Sequence, residues 1–326
     1  MSILAKCRIC EGPLGPALRV REMMYGTRDE FDYFPCQNCG CLQISEIPKD
    51  IALHYPEDYY SFSINKKKRS RWLRDLFRRE RNLYPINKKG VLGAILSFIR
   101  APDPVFSVYG RVGLDLKDSI LDVGGGGGGH IQALRFVGIN NAIAIDLFIE
   151  SDVEIDGDLI AKKASIFEIN ETYDLITFHH SFEHMDQQLA VLEKARNLLS
   201  RKGKILIRIP TVSSQAFETY GSYWSDLDAP RHFYLHSHKS IKLLAETAGL
   251  QVSDMWCDSV AFQFWASEQY QAGIPLNDLR SYSQDPQNSM FTQDQILKFE
   301  NKSETLNDEM RGDTVCVVLT KKSEAA

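Results

Sequence analysis

The chain has 326 residues, of which 44% are hydrophobic and 25% are charged, and its formal net charge is −5. This composition is that of a globular protein with room for one large domain and a small module. The acidic balance argues against a protein-wide nucleic-acid surface. No apolar run approaches the roughly 20 residues that span a bilayer. The N-terminus lacks a secretory signal pattern, and we therefore expect a cytoplasmic protein.

Five of the seven cysteines lie within the first 41 residues. Four of them form two Cys-x-x-Cys pairs: Cys7 and Cys10, and Cys36 and Cys39. Two such pairs can place four thiolates around Zn²⁺ at about 2.3 Å, and four sulfur ligands leave no open position for catalysis. Without an export signal, clustered cysteines favour a metal over disulfides. The sequence predicts a zinc-ribbon-like domain over residues 1–62, with Cys41 as an alternative to Cys39.

Two segments follow the predicted ribbon. The stretch from His54 to Phe62 is rich in aromatic residues, and it either lines a substrate pocket or packs the ribbon against the main domain. Residues 65–90 carry eleven Lys and Arg against Asp75 and Glu80, with apolar residues at helical spacing. We expect a basic helical linker over residues 63–104 that covers the main domain. Contact with an anionic substrate is the first alternative, and peripheral membrane contact is the least favoured.

The main motif of the chain is a strand, a run of six glycines and a helix, in that order. The segment Ser119–Val123 predicts the strand, and the helical spacing starts at His130. Glycines let a ligand approach the backbone closely, and the helix start adds unpaired N–H groups. This order of elements predicts a nucleotide site.

Two nucleotide patterns fit the glycine run equally well. Gly124-x-Gly126-x-x-Gly129 matches the dinucleotide fingerprint. Asp122-x-Gly124-x-Gly126-x-Gly128 resembles the first motif of class I S-adenosylmethionine (SAM) methyltransferases. Both require an acid after the next strand to accept hydrogen bonds from the ribose hydroxyls, and Asp146 follows the predicted strand Ala142–Ile145.

The next two elements depart from regular strand and helix alternation. The segment Phe148–Leu159 lacks helical spacing, so we expect the crossover helix to be short, missing or replaced by a loop or hairpin. A third strand is predicted over Ile160–Ile166, with its last two residues near an adenine. The predicted cofactor-binding residues are Asp122, Gly124, Gly126, Gly128, Asp146, Leu147, Ser165, Ile166 and His179.

A histidine-rich segment follows the predicted fourth strand, Tyr173–Phe178. Its sequence is His179-His180-Ser181-Phe182-Glu183-His184. A helix is predicted over Gln187–Leu199, and a fifth strand over Lys204–Ile209. The segments Val252–Cys257 and Thr314–Thr320 alternate as a final strand pair.

These motifs together resemble the class I SAM-dependent methyltransferases. The similarity is closer to the subgroup with a Glu-His pair after strand four and a segment like Trp224…Pro230-Arg231-His232-Phe233. The cysteine module resembles the zinc-binding domain of sugar C-methyltransferases and of polysaccharide-cluster methyltransferases. The resemblance implies a doubly wound, Rossmann-like α/β sheet of seven strands, with strand seven antiparallel, in a methyltransferase domain over residues 105–322. It also implies an acceptor that is a nucleotide-linked or glycan-pathway sugar.

Methyl transfer to a hydroxyl or a carbon acid needs a base, and histidine suits that role near neutral pH. We predict His184 beside Glu183 as the base, or His232, with Arg231 holding an anionic acceptor group. A metal held by His179, Glu183 and His184 is disfavoured, because adjacent residues rarely point to one centre. The alternative function is an NAD(P)-dependent oxidoreductase that uses the same glycine loop. The expected partner is a small-molecule substrate and not a nucleic acid.

Overall fold

The computed structural model describes residues 5–55 and 72–322. Most of the predicted aromatic segment and the first part of the basic linker lie outside these residues. The chain folds into two compact units. The first unit comprises Met1–Pro56, His180–Leu192 and Ile207–Ala326, and the second comprises Glu57–His179 and Glu193–Leu206. This division differs from the predicted consecutive segments 1–62, 63–104 and 105–322, because the chain enters each unit more than once.

The elements of the described chain are numbered in chain order. The strands are β1 (Leu18–Arg21), β2 (Glu30–Pro35), β3 (Leu42–Ile44), β4 (Ile120–Val123), β5 (Ala142–Asp146), β6 (Val153–Ile155), β7 (Asp158–Lys163), β8 (Tyr173–His179), β9 (Leu199–Pro210), β10 (Tyr234–Leu235), β11 (Leu250–Cys257) and β12 (Thr314–Lys321). The α-helices are α1 (Trp72–Asn87), α2 (Val91–Ile99), α3 (Pro104–Val112), α4 (Gly129–Phe136), α5 (Gln188–Leu198), α6 (Gln215–Tyr220), α7 (His238–Thr247), α8 (Phe262–Gln271) and α9 (Gln293–Asp308).

The first unit contains a four-stranded antiparallel sheet of order β1-β2-β3-β10. The N-terminal strands supply three members, and β10 comes from the segment that holds Arg231 and His232. Leu42 pairs with Leu235 in this sheet, and the N–H of Ile44 donates to the carbonyl of Phe233 at 3.0 Å. One apolar core joins the cysteine module to residues 216–235. The cysteine module is therefore part of a larger fold.

The first unit also holds the last strand pair of the chain. Strands β11 and β12 are antiparallel, from Leu250 opposite Lys321 to Cys257 opposite Val315. Strand β12 in turn borders the end of β9. The antiparallel pair follows the alternation predicted for both segments.

The second unit is built on a sheet of order β9-β8-β4-β5-β7-β6. Strand β4 lies between β5 and β8 and is parallel to both, and β5 is parallel to β7. All four residues of β4 are buried. Burial on both faces explains why this strand reads as an apolar run, as is usual in parallel sheets. The glycine run follows β4 and leads into α4.

Together with β11 and β12, these strands number eight. Seven were predicted, and β6 is the additional strand, beyond β7. Strands β6 and β7 form a hairpin whose two-residue turn is Asp156-Gly157, with φ of 56° and 85°. Two positive φ values are the requirement of a type I′ turn, which Asp-Gly favours. The hairpin replaces the crossover helix, as the absence of helical spacing predicted. It also makes the third strand begin at Asp158 and end at Lys163, earlier than predicted.

The strand predicted over Lys204–Ile209 begins earlier as well. Helix α5 ends at Leu198, and β9 begins at the next residue. In the described part of the chain, no helix combines the length and the apolar character needed to cross a bilayer.

Candidate functional site

The four predicted metal ligands lie together in the first unit. Their Sγ atoms are within 4.8 Å of one another: those of Cys7, Cys10, Cys36 and Cys39. The two Cys-x-x-Cys turns close in the same way, since the N–H of Glu11 donates to the Cys7 carbonyl and the N–H of Gly40 to the Cys36 carbonyl, both at 2.9 Å. Glu11 and Gly40 both have positive φ. This repeated turn brings the four thiols to one point.

Backbone amides surround the sulfur atoms. The N–H of Ile9 donates to Cys7 Sγ at 3.3 Å, and the N–H of Cys39 donates to Cys36 Sγ at 3.4 Å. The Cys7 and Cys39 sulfur atoms lie 3.6 Å apart, and the hydrogen bond between them lowers the pKa of Cys7. Cys41 lies outside the cluster, and its buried thiol donates to the Leu42 carbonyl. Thiolates with amide donors and no carboxylate fit Zn²⁺.

In the second unit, β4 ends beside a buried carboxylate. Asp122 Oδ1 accepts a hydrogen bond from Thr177 Oγ1 at 2.7 Å. Burial raises the pKa of Asp122, while nearby His130 and Thr177 oppose the rise. A Cβ on Gly125 would lie 2.6 Å from Asp122 Oδ2 and 2.9 Å from the Cβ of Ala144. The backbone of the glycine run therefore passes directly over this carboxylate.

Glycine is required at alternate positions of the run. Gly124, Gly126 and Gly128 have φ of 72°, 52° and 80°, values that L side chains rarely adopt. A Cβ on Gly128 would also lie 2.5 Å from Ile160 Cγ2, whereas a Cβ on Gly129 would meet nothing within 4 Å. The three positive-φ positions are those of the Asp122-x-Gly124-x-Gly126-x-Gly128 pattern.

Asp146 lies at the end of β5, and its carboxylate contacts the glycine run. Oδ2 accepts from the N–H of Gly126 at 2.9 Å, and Oδ1 accepts from the N–H of Phe148 at 2.7 Å. A carboxylate has about four lone-pair sites, so each oxygen retains one for a ligand hydroxyl. The neighbouring Leu147 side chain is exposed.

Ser165 and Ile166 lie in a short 3₁₀ turn after β7. The Ser165 hydroxyl accepts from the N–H of Phe167, and the Glu168 side chain accepts from the N–H of Ser165, which together form a capping box. The Ile166 side chain is buried. The structure thus gives the Ser165 hydroxyl a capping role.

His179 ends β8 and forms a small aromatic cluster with two residues of the same unit. Its Nε2 lies 3.1 Å from the Tyr109 hydroxyl, and its ring centroid lies 4.3 Å from that of His130. The Nδ1 atom of His130 is buried and has no hydrogen-bond partner among the described residues. Sequence reasoning missed His130, although its place at the start of the helix after the glycines was a usable signal. Three features fit an adenosine-containing cofactor. They are the glycine run, the carboxylates of Asp122 and Asp146, and the unpaired Nδ1 of His130.

The predicted catalytic residues lie in the first unit, around a fully buried carboxylate. Glu183 Oε1 is 3.6 Å from His180 Nδ1 and 3.9 Å from His232 Nε2, both beyond hydrogen-bond distance. Neither carboxylate oxygen accepts a hydrogen bond from any described residue. Burial raises the pKa of Glu183, but the three nearby histidines outweigh it and lower the pKa to about 2. Glu183 is therefore an ionised acceptor.

His184 is fixed in one tautomer by its neighbours. Its Nδ1 lies 2.8 Å from the Arg231 carbonyl and 3.0 Å from the Tyr55 hydroxyl. A carbonyl only accepts, so Nδ1 carries the proton and Nε2 keeps its lone pair. Burial, followed by the nearby His232, lowers the pKa of His184, while Glu183 opposes this shift. His184 is neutral at pH 7.

His232 is fixed in the same way. Its Nδ1 donates to the Asp226 carbonyl at 2.7 Å, so in the neutral ring Nε2 is the acceptor. The Nε2 atom lies 3.8 Å from Asp228 Oδ2. The His184 and His232 rings meet edge to face with centroids 4.7 Å apart.

Arg231 does not have a free guanidinium for the predicted anionic acceptor group. The side chain is 1% exposed, and its Nη2 lies 2.9 Å from Glu22 Oε1 and 2.5 Å from Asp228 Oδ1. Its Nη1 donates to the carbonyl of His54 at 3.2 Å. These partners neutralise the cation, and the Arg231 carbonyl holds the His184 ring instead. The geometry therefore corresponds to a positioning role.

One atom each of Glu183, His184 and His232 lies within 4.8 Å of the others, so these residues could also hold a metal ion. The adjacent residues Glu183 and His184 thus bring ligand atoms close to one point, contrary to the prediction. His232 takes the place of the predicted His179 in this group.

Sequence reasoning missed three residues of this cluster: Tyr55, Glu22 and Asp228. The aromatic segment that starts at His54 was a signal for Tyr55. Asp228 lies three positions before its partner Arg231, and this spacing was a usable signal. Nothing local indicates Glu22, because its pairing with Arg231 is set by tertiary structure.

The model of a family described as a methyltransferase domain matches residues 77–254, more than half of the chain, and the chain belongs to this family. The match covers the glycine run, Asp146 and the predicted catalytic residues. The protein is a SAM-dependent methyltransferase, which sets aside the oxidoreductase alternative. No curated protein matches the chain.

Solved structures give weaker similarities. One is a complex between the Haloferax volcanii Trm112 methyltransferase activator and a candidate methyltransferase, with 16% identity, a TM-score of 0.42, and coverage of 78% of this chain and 95% of that one. Another is the cyclopropane synthase MmaA2 of Mycobacterium tuberculosis, with 15% identity, a TM-score of 0.39, and coverage of 64% and 80%. A SAM-dependent methyltransferase of Mesorhizobium loti has 12% identity, a TM-score of 0.40, and coverage of 64% and 94%. Similarities at this level do not bear on substrate or partner.

Proposed function

We propose that the chain transfers the methyl group of SAM to a sugar, either nucleotide-linked or part of a glycan pathway. The observation that carries this proposal is the set of acceptor atoms in the first unit. Glu183 is ionised and accepts no hydrogen bond from the described residues, and the Nε2 atoms of His184 and His232 keep their lone pairs. A buried acceptor without a donor is costly. A sugar carries hydroxyl donors that would satisfy these atoms.

We propose that the second unit holds SAM. Asp146 would accept hydrogen bonds from the ribose hydroxyls, and the backbone of Gly124, Gly126 and Gly128 would lie against the cofactor. The exposed Leu147 and the His179 ring would contact the adenosine or methionine portions, and Ile166 and Ser165 would lie at the edge of the adenine site. When bound, SAM supplies an electrophilic methyl group on a sulfonium.

His184 is the proposed base. Its Nε2 would remove the proton from the acceptor hydroxyl or carbon as the new bond to the methyl group forms, and the proton would stay on the imidazole. The ionised Glu183 beside it would stabilise the resulting imidazolium. Arg231, through its carbonyl, and Tyr55 would keep the ring in the required tautomer. His232 is the alternative base, with Nε2 equally free.

We propose one structural Zn²⁺ on Cys7, Cys10, Cys36 and Cys39. Metal analysis of the purified protein should find one zinc per chain. A second equivalent that disappears in Glu183→Gln would instead indicate a cation on Glu183, His184 and His232, and metal-bound water as the base.

The test is a screen of nucleotide-sugars and pathway glycans with methyl-labelled SAM. His184→Gln should lower kcat by about 10²–10⁴-fold with SAM affinity unchanged. The acid limb of the wild-type pH profile should lie below the ordinary histidine pKa of about 6.5, because burial lowers that of His184. Full activity in both His184→Gln and His232→Gln would refute a histidine base. Transfer only to acceptors that are not sugars would refute the sugar proposal.

A matched control separates cofactor binding from chemistry. Asp146→Ala should weaken SAM binding by about 1–3 kcal/mol, since it leaves ribose hydroxyls and the N–H of Gly126 without their acceptor. Isothermal titration with SAM measures this loss directly. An unchanged dissociation constant would remove Asp146 from the site.

A further inference from the structure

Helices α1 and α2 pack as an antiparallel pair in the second unit. A Cβ on Gly93 would lie 2.9 Å from the Glu80 carbonyl oxygen and 3.2 Å from Tyr84 Cβ. Further along, Ser97 Oγ donates to the Arg81 carbonyl at 3.1 Å. Only residues 88–90 connect the two helices, so α2 runs back along α1 as in a helical hairpin.

The predicted role of this region, to cover the main domain, applies only to the second half of α1. There, Leu83 and Ile86 are buried. Gly110 of α3 lies so close to the Pro85 carbonyl that a Cβ would not fit. This contact anchors the helix pair without using the rest of its apolar residues.

Most of the other large apolar side chains of the two helices are exposed, although Leu96 and Tyr84 are half-buried. Phe98 is 94% exposed and Trp72 is 71% exposed. The full set comprises Trp72, Leu73, Leu76 and Phe77 on α1 and Val91, Leu92, Ile95, Phe98 and Ile99 on α2, and we call it the helix-pair surface. On each helix the spacing is that of one face. Soluble monomers rarely expose so many large apolar side chains together, and such patches mark interaction sites.

The same region has a large excess of positive charge, whereas the rest of the chain is acidic. Residues 65–100 contain twelve Lys and Arg against Asp75 and Glu80, a formal charge of +10. Since the whole chain carries −5, the other residues carry −15. The apolar surface is therefore embedded in a basic segment of an otherwise acidic protein.

We propose that the helix-pair surface binds the surface of a membrane that contains anionic lipids. Apolar side chains that enter the interface, flanked by Lys and Arg, are the two components of peripheral membrane binding by amphipathic helices. Indole rings such as that of Trp72 favour this interface. A second copy of the chain would bring two basic segments of the same sign together. A nucleic acid would meet α2, which has no Lys or Arg to pair with phosphates and only one aromatic ring, that of Phe98, to stack on a base. The proposal of membrane binding does not depend on which molecule accepts the methyl group.

The experiment is co-sedimentation of the full-length protein with lipid vesicles. One set contains about 30 mol% phosphatidylglycerol in phosphatidylcholine, and the other contains phosphatidylcholine alone. Binding should be strong on the anionic vesicles at about 0.05 M NaCl, weak on the neutral ones, and much reduced at about 0.5 M NaCl, because salt screens the attraction.

A double variant tests the apolar component. Phe98→Ser with Ile99→Ser should weaken binding to anionic vesicles by about 10- to 100-fold, since two side chains no longer enter the interface. The matched control is Val260→Ser with Leu279→Ser, two exposed apolar residues of the first unit, which should bind as the wild type does. Methyl transfer in solution should be unchanged in both variants, which shows that they are folded.

Three results would overturn the proposal. They are the absence of binding to anionic vesicles, equal loss of binding in the control variant, and a dimer in light scattering that the Phe98→Ser, Ile99→Ser variant converts to monomer. The last result would assign the surface to self-association instead.

Discussion

His236 shows how a buried polar side chain is held in one protonation state in this protein. Its Nε2 lies 2.9 Å from Gln188 Oε1, and its Nδ1 lies 2.9 Å from Ser240 Oγ. The Gln188 amide is oriented because its Nε2 donates to the Phe182 carbonyl at 2.8 Å. His236 Nε2 therefore carries the proton, and Nδ1 accepts. This arrangement satisfies both nitrogens of the neutral ring, and burial disfavours the charged ring.

The stability of the protein should fall in acid through His236. Burial lowers the pKa of His236 to about 4, against about 6.5 in the unfolded chain. Between these values the unfolded state binds more protons, so the free energy of unfolding decreases as the pH falls. The His236 contribution to this decrease should be about 2–3 kcal/mol between about pH 7.5 and pH 4.5. Urea unfolding at both values measures it.

The control for this prediction is His236→Gln, which retains an amide donor and does not titrate. Other titrating groups are common to both proteins and cancel in the comparison. The variant should lose less stability than the wild type over the same pH range. Equal losses would show that His236 does not control the acid sensitivity.

At the scale of single residues, the sequence is informative where the chemistry depends on short spacing. The four cysteines and the acid at the end of β5 follow from distances of a few residues along the chain. Arg231 is different, because its partner Glu22 is 209 positions away and no local pattern records the pair. The predicted anion-binding role for Arg231 failed for this reason: its guanidinium is used inside the fold.

At the scale of elements, the glycine run combines two kinds of glycine. Some positions require glycine because φ is positive or because a Cβ atom would clash, and other positions do not. Gly128 needs it for both reasons, since its φ is 80° and a Cβ would contact Ile160. Gly129 begins α4 and faces open space. Adjacent residues therefore offer a matched pair of substitutions.

Gly128→Ala should lower the free energy of unfolding by about 2–4 kcal/mol, the sum of a left-handed backbone and an overpacked contact. Gly129→Ala should leave the stability unchanged or raise it by about 0.5–1 kcal/mol, because alanine favours a helix. Thermal and urea unfolding without SAM measure both. Equal effects of the two substitutions would contradict the loop geometry.

The strands of the second unit were predictable in part, because most of them have a local sequence pattern. Apolar runs indicate the buried parallel strands, and the glycines indicate the turn after β4. The Asp156-Gly157 hairpin was indicated by the absence of helical spacing, but β6 is a three-residue strand with no buried residue. Its membership in the sheet arises from pairing with β7, so periodicity alone could not reveal an eighth strand.

At the scale of the molecule, the proposed cofactor-binding residues and the proposed catalytic residues belong to different units. The glycine run and Asp146 lie in the second unit, and the histidines and Glu183 lie in the first, which also contains the cysteines. The cysteine module and the Arg231–His232 segment share one sheet and one core. Further links are the Tyr33 hydroxyl, which donates to the His232 carbonyl at 2.8 Å, and Ser237 Oγ, which donates to the Cys39 carbonyl. The cysteines therefore support the proposed base.

Removal of the proposed zinc should for this reason abolish catalysis while SAM affinity persists. Cys36→Ser, or treatment with a strong chelator, removes the constraint on β2, β3 and the strand β10 that follows His232. A small displacement of a catalytic group lowers turnover by about 10²-fold. The residues proposed to bind SAM belong to the second unit, so the dissociation constant measured by calorimetry should change little. The control is Cys41→Ala, whose sulfur is outside the cluster and which should keep its zinc. Full activity in zinc-free protein would show that the module does not position the catalytic histidines, and parallel loss of SAM binding would show that the two units do not fold independently of the metal.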